Sequence, residues 1–142
     1  MKKRNWLLLP IFLVLCVIWG NSAMPGDVSG SISGGLLEWL IKVFPFLNWL
    51  PEYLLRKIGH FSEFAALGFL LAWYFADRKG KDRVLLPAFL SMLAANLDET
   101  IQLFVPGRYS SLADVWIDSL GACAGIALLL LGYTVFARKK AN

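Results

Sequence analysis

Polar and ionisable side chains interrupt the long apolar runs of this chain in a pattern that could bind a polar ligand or carry out acid–base chemistry. A charge near the centre of a bilayer costs about 2.5–3.5 kcal/mol on insertion scales, so ionisable residues inside membrane helices usually have a function. The candidate ligand-binding residues are Lys57, His60, Glu63, Asp98, Glu99, Gln102, Arg108, Ser111, Asp114 and Asp118.

Helical spacing places most of these side chains in stripes. The stripes are Lys57, His60 and Glu63 at i, i+3 and i+6, Asp98 and Gln102 at i and i+4, and Asp114 and Asp118 at i and i+4. Residues at these spacings lie on one face of a helix. We therefore expect three helices to turn polar faces toward one another.

Carboxylates outnumber cations among these residues, since five carboxylates accompany only Lys57, Arg108 and one titratable histidine. Burial could keep one or two carboxylates protonated, or a bound cation could complete the site. The alternative is a buried ion-pair network that only holds the helices together. In that network Arg108 would bridge Asp114, and Lys57 would bridge Asp98 or Glu99.

Composition predicts the elements that must position these residues. With 58% hydrophobic residues, 17% charged residues and a mean hydropathy of +0.60, the chain is too apolar for a soluble domain, which is about 45–50% apolar. The apolar runs predict transmembrane helices at about 6–24, 58–76, 84–104 and 115–137. We therefore expect an all-α membrane protein, a single domain over residues 1–142, without a separate soluble catalytic or nucleic-acid-binding domain.

Basic residues indicate the orientation. Lys and Arg cluster at 2–4, 78–83 and 138–140, which all fall on one side of a path with four helices. The positive-inside rule places that side, with both termini, in the cytoplasm of a multi-pass plasma-membrane protein. The net charge of +4 is thus an orientation signal and not a nucleic-acid footprint. The first run is expected to be an uncleaved helix, because 21–23 is a poor signal-peptide cleavage site.

The long connection at 25–56 is then an extracytoplasmic loop. Its Gly- and Ser-rich part at 26–35 predicts a flexible segment. The segment at about 36–44 has an apolar and a charged face, which predicts a short amphipathic helix in the outer interface or a lid packed on the bundle. The two cysteines, Cys16 and Cys123, lie in apolar runs and are expected to be packing residues without a disulfide.

This topology brings the polar stripes to one depth. Glu63 lies about 9 Å inward from Lys57, and Asp98 about 9 Å below the end of the third helix, at 1.5 Å per residue. On the fourth helix Gly121 and Gly125 form a small-xxx-small pair, which allows a neighbouring helix to approach closely. Ser110 or Ser111 also fits the N-cap of that helix.

Four short motifs occur together between Arg56 and Gly125: Lys-x-x-His at 57–60, Asp-Glu-x-x-Gln at 98–102, Pro-Gly-Arg at 106–108 and Ser-x-x-Asp at 111–114. In this combination and spacing the chain resembles the VanZ-like family of small bacterial membrane proteins, named for a glycopeptide (teicoplanin) resistance factor. It departs from that family at Phe64, where the family usually has Tyr, and at Asp118, where the family usually has Asn. The second departure adds a charge to the candidate site.

The resemblance implies a polytopic plasma-membrane protein linked to teicoplanin-type resistance, or one with a housekeeping role in the cell envelope. It implies no mechanism, so two hypotheses remain open. In the first, an outward-facing pocket binds an envelope lipid, wall precursor or lipoglycopeptide, with Arg108 and Lys57 taking a phosphate or carboxylate. In the second, a membrane-embedded enzyme acts on an outer-leaflet lipid or lipid-linked sugar through His60, Glu63 and Asp98.

A lone histidine without a fixed spacing such as HExxH assigns no metal site from sequence, and the cofactor stays unknown. The expected partners are a membrane lipid, a cell-wall precursor or a glycopeptide, with a second copy of the chain as a further candidate and no nucleic acid. Ion- or proton-coupled permeation and a purely structural role are further alternatives, but four helices are few for a transporter.

Overall fold

The computed structural model describes the backbone of residues 4–141 and the side chains of residues 4–135. Five α-helices follow one another: α1 (Leu8–Ser22, after a 3₁₀ turn at Asn5–Leu7), α2 (Gly26–Val43), α3 (Glu52–Tyr74), α4 (Asp82–Leu103) and α5 (Leu112–Ala141). A second 3₁₀ turn, Pro45–Trp49, joins α2 to α3, and no strand occurs in residues 4–141. The prediction of an all-α fold is therefore confirmed.

Three segments are long and apolar enough to cross a membrane: Asn5–Ser22, Asp82–Leu103 and Leu112–Val135. They correspond to three of the four predicted spans, and they make the chain a membrane protein. The remaining predicted span, 58–76, overlaps α3, which begins earlier, at Glu52, ends at Tyr74 and carries charged residues through its first half. Because of those charges, α3 is not among the segments that are apolar enough.

Long-range contacts indicate which helix ends lie together at each end of the bundle. At one end Arg4 pairs with Asp77 at 2.9 Å, and the guanidinium carbon of Arg83 lies 5.1 Å from the ring centroid of Tyr133 in α5. At the other end the backbone N–H of Gly26 donates to the carbonyl of Pro106 at 3.0 Å. The chain start, the α3–α4 turn and the last turns of α5 thus share one end of the bundle. The predicted basic residues Lys2 and Lys3 lie outside the described residues.

Among the described helices, α3 and α5 contact each other most extensively. Glycines at this interface allow the two helix backbones to approach closely. A Cβ on Gly121 would overlap the carbonyl oxygen of Phe61, and one on Gly125 would overlap that of Ala65. On the α3 side, a Cβ on Gly68 would meet the carbonyl oxygen of Ala122. The small-xxx-small prediction is therefore confirmed, and α3 is the helix that approaches.

The core is small, and the outer surface is apolar. Phe64, Leu67 and Leu71 of α3 pack with buried residues of α1, α4 and α5, whereas Phe89 and Trp116 are more than 60% exposed. Both cysteines are free and exposed, so their interpretation as packing residues was wrong. Such a surface is stable when lipid covers it.

The predicted flexible segment at 26–35 is helical, because α2 begins at Gly26. Ser33 Oγ donates to Glu52 Oε1 at 2.5 Å, and Gly26 is hydrogen-bonded to the α4–α5 loop. Glycine costs about 1 kcal/mol per residue in a helix, and these tertiary contacts offset that cost. The predicted amphipathic helix at 36–44 is thus the second half of a longer helix.

Candidate functional site

The α3 stripe supplies the first polar face. The ammonium group of Lys57 forms an ion pair and hydrogen bond with Asp114 Oδ1 of α5. His60 lies one turn further along, with its side chain 21% exposed and its Nδ1 3.8 Å from Asp98 Oδ2. Glu63 Oε1 accepts a 2.7 Å hydrogen bond from Asn21 of α1, whereas its buried Oε2 has no partner within residues 4–135.

The α4 stripe supplies a buried hydrogen-bonded group. Asp98 is fully buried, and its Oδ2 accepts from Ser22 Oγ at 2.8 Å and from Gln102 Nε2 at 3.0 Å. Gln102 also contacts Glu99 Oε1 at 3.2 Å. The other oxygen of Asp98, Oδ1, is buried and has no hydrogen-bond partner in the part of the chain that the structure describes.

The α5 stripe holds the least satisfied group of the site. Asp118 is 1% exposed, and neither of its carboxylate oxygens has a hydrogen-bond partner among the described residues. Within residues 4–135, no Lys or Arg nitrogen lies within 4 Å of Asp98 or Asp118. Oxygen or nitrogen atoms of His60, Asp98 and Asp118 all lie within 4.8 Å of one another. The three stripes therefore converge on two buried carboxylates and a histidine.

Arg108 has a different role from the one the sequence suggested. Gly107, with φ of 74°, turns the chain after α4, and Arg108 then donates to the carbonyls of Met24 at 3.0 Å and Asn21 at 2.5 Å. These are carbonyls at the C-terminal end of α1, where a cation is favourable. Burial and, next, the charge of Arg56 lower the pKa of Arg108. The bridge from Arg108 to Asp114 that belongs to the alternative ion-pair network is therefore not formed among the described side chains.

The other bridge of that alternative network, from Lys57 to Asp98 or Glu99, is not formed either, because Lys57 pairs with Asp114. Glu99 Oε2 accepts a 2.7 Å hydrogen bond from the backbone N–H of Ser111. Ser111 Oγ in turn accepts from the N–H of Ala113 at 3.1 Å. Ser111 therefore caps α5, and Glu99 fixes the start of that helix against α4.

Two cavities adjoin α3 and divide the predicted residues between them. The first, about 200 Å³, is lined by six of those residues: Lys57, His60, Glu99, Gln102, Asp114 and Asp118. The second, about 280 Å³, contains Glu63 and Arg108 with apolar side chains of α2 and α3. Asp98 and Ser111 line neither cavity and contact residues that do.

The structure adds residues that the sequence interpretation did not include. Arg56 and His60 line both cavities, so they form the wall between them. Arg56 lies four residues before His60, and that helical spacing was a usable signal. Asn21 and Ser22 end an apolar helix with no polar spacing around them, and nothing in the sequence indicated that they would face Glu63 and Asp98.

Comparison with known proteins assigns the family. Residues 7–134 match the VanZ/LLP1 family model, which covers the site and every helix except the final turns of α5. No curated protein and no solved structure gives a significant match. Because the matched region includes most of the chain and all three polar stripes, the resemblance noted from short motifs extends over the whole bundle, and the chain belongs to the VanZ/LLP1 family.

Proposed function

We propose that this VanZ/LLP1 protein crosses the bacterial plasma membrane four times, with both termini in the cytoplasm. At 1.5 Å per residue the 23 residues of α3 extend about 34 Å, enough for a hydrocarbon core of about 30 Å. The helix also runs between the two ends of the bundle that α1, α4 and α5 connect. Its polar face is turned to protein, which makes its charges tolerable in a span.

In this orientation α2 lies at the outer interface. The helix has no buried residue, and its exposed apolar side chains form one stripe: Val28, Ile32, Leu36, Trp39 and Val43. A helix with an apolar stripe and polar flanks is typical of the headgroup boundary of a bilayer. The cavities beside α3 then open toward the outer leaflet.

The function that the geometry supports best is binding of an anionic amphiphile: an envelope lipid, a wall precursor or a lipoglycopeptide. The observation that carries it is the position of Arg56 between a polar cavity and a mostly apolar one. Within residues 4–135, Arg56 forms no ion pair and no side-chain hydrogen bond. A free guanidinium binds phosphate or carboxylate in a bidentate manner.

The two cavities suit the two ends of such a ligand. The polar cavity of about 200 Å³ would hold a headgroup. The other contains Ile32, Leu36, Leu55 and Ile58, which would contact an acyl chain. Lys57 and Arg108, the cations chosen from sequence, are already engaged by Asp114 and by α1, so Arg56 is the primary anchor. Binding of this kind would modulate susceptibility to teicoplanin-type antibiotics.

Binding to the purified chain tests this proposal. In phosphatidylcholine nanodiscs, we expect Arg56→Ala to weaken binding of a fluorescent phosphatidylglycerol and of teicoplanin roughly tenfold or more, since a hydrogen bond to a charged group contributes about 1.5–3 kcal/mol. Arg56→Lys should retain part of the affinity. Lys42→Ala removes an exposed cation of α2 and is the matched control. Unchanged binding by Arg56→Ala would refute the proposal.

A second candidate is an enzyme acting on an outer-leaflet lipid or lipid-linked sugar. The observation that favours it is that His60 lines the polar cavity while its Nδ1 lies 3.8 Å from buried Asp98, as in a general base oriented by a carboxylate. Glu63 is bonded to Asn21 beside the other cavity, so it is not part of this arrangement. Lipid analysis of a deletion strain complemented with His60→Gln distinguishes the two functions. Accumulation of one lipid or precursor supports the enzyme, and an unchanged profile supports the binding protein.

A further inference from the structure

Asp118 has no role in the function proposed above, yet it is the most buried ionisable group in the polar cavity. The residue is 1% exposed, and neither carboxylate oxygen has a hydrogen-bond partner among the described residues. Leaving a buried charged group without partners costs several kcal/mol. A ligand that takes those oxygens would remove this cost.

The surroundings of Asp118 indicate what that ligand is. Asp98 of α4 is fully buried, and its Oδ1 has no hydrogen-bond partner among the described residues. His60 of α3 completes a group whose potential ligand atoms lie within 4.8 Å of one another. Two carboxylates and one imidazole, from three different helices, are donors for a divalent metal ion.

Charge favours a cation at this point. Within the described side chains, no Lys or Arg nitrogen lies within 4 Å of either aspartate. The Lys57 ammonium pairs with Asp114, and neither Asp98 nor Asp118 forms an ion pair with a Lys or Arg among the described side chains. A divalent cation would balance both.

We propose that His60, Asp98 and Asp118 form a binding site for a divalent cation of the Zn²⁺ class. Zn²⁺ accepts imidazole and carboxylate ligands together at about 2.0–2.2 Å, whereas Mg²⁺ and Ca²⁺ prefer sites made of oxygen alone. Metal binding would draw the three ligand atoms, which lie within 4.8 Å of one another, closer together. Ser22 and Gln102 hold Asp98 through Oδ2, which is the second layer of hydrogen bonds that metal sites need.

The site would leave one coordination position open to the cavity, because His60 and Asp118 both line it. Three protein ligands with one open position are typical of zinc sites that bind an exogenous ligand. A phosphate or carboxylate held by Arg56 could occupy that position. This proposal does not depend on amphiphile binding, since metal occupancy can be measured without any lipid ligand.

Metal content of the purified chain, prepared without a polyhistidine tag, is the primary test. After equilibration with Zn²⁺ and dialysis, we expect elemental mass spectrometry to give about one Zn²⁺ per chain. When Co²⁺ replaces Zn²⁺, we expect visible d–d absorption. Asp118→Asn and His60→Gln should each weaken Zn²⁺ binding tenfold or more in competition with a chromophoric chelator. Glu38→Gln, an exposed carboxylate of α2, should bind as wild type.

Absence of bound Zn²⁺ in the wild type, or equal binding by Asp118→Asn and His60→Gln, would overturn the proposal. Mg²⁺ or Ca²⁺ binding as tightly as Zn²⁺ would also overturn it. Where Asp118→Asn does not fold, His60→Gln and the Co²⁺ spectrum of the wild type decide. Two variants separate the two proposals. Unchanged amphiphile binding by Arg56→Ala would refute only the proposed function. Loss of Zn²⁺ binding in Asp118→Asn would still support the metal site in that case.

Discussion

At the scale of single residues, the position of a cation in the sequence did not indicate its partner. Arg108 follows a Pro-Gly turn beside several carboxylates, and from sequence it was expected to bind an anionic ligand or, in the alternative network, to pair with Asp114. The structure instead turns Arg108 toward the carbonyls of Asn21 and Met24. Helix termini leave carbonyls that need donors, and that need arises from tertiary structure which the local sequence does not contain.

Arg108→Ala should therefore act on stability. It removes charged donors from carbonyls of a partly buried helix end, which costs about 1.5–3 kcal/mol. We expect a lower midpoint of thermal unfolding in detergent, whereas Lys42→Ala, which removes an exposed cation, should leave the midpoint unchanged. If Arg108→Ala unfolds at the wild-type temperature, the contacts with α1 contribute nothing to stability.

At the scale of elements, residue spacing correctly predicted the polar and glycine faces of the long helices. Prediction failed for a segment whose composition disfavours a helix but whose tertiary contacts stabilise one. The stripes on α3, α4 and α5 and the Gly121–Gly125 pair were predictable, because each follows from residues on one helix. The segment at 26–35 was predicted to be flexible because Gly and Ser disfavour helices. It is helical because Glu52 and the α4–α5 loop hold it, and neither contact is encoded nearby.

The close packing of α3 on α5 predicts a sharp difference between two glycines of the same helix. A Cβ on Gly125 would overlap the backbone carbonyl of Ala65, whereas one on Gly132 would meet no described atom within 4 Å. Gly125→Ala should destabilise the protein by about 1–3 kcal/mol through overpacking. Gly132→Ala should be neutral or stabilising by up to about 1 kcal/mol through helix propensity. Equal unfolding midpoints for these two variants in detergent would contradict the packing described above.

At the scale of the whole molecule, polar and apolar residues are distributed in the reverse of the soluble pattern. Asp98, Asp118 and Gln102 are buried, while large apolar side chains such as Phe89 and Leu128 face outward. The sequence predicted this arrangement, because apolar runs interrupted by polar stripes leave few other ways to fold. It could not predict the division into two cavities, which depends on where α2 packs against α3.

The number of spans is the property of the whole molecule that most needs a measurement. If only the three apolar segments cross the membrane, the C-terminus lies on the opposite side from the N-terminus. If the charged helix α3 also crosses it, the two termini lie on the same side. Four spans place both termini and the basic 78–83 turn in the cytoplasm, since basic loops stay inside. We expect Lys79→Cys to resist a membrane-impermeant maleimide in intact cells and Trp39→Cys of α2 to react, in a background without the exposed Cys16 and Cys123. A C-terminal green fluorescent protein should fluoresce, and a C-terminal alkaline phosphatase should be inactive. A green fluorescent protein that stays dark and an active alkaline phosphatase would place the C-terminus outside the cytoplasm. That result would mean that α3 does not cross the membrane and that the candidate site does not face the outer leaflet.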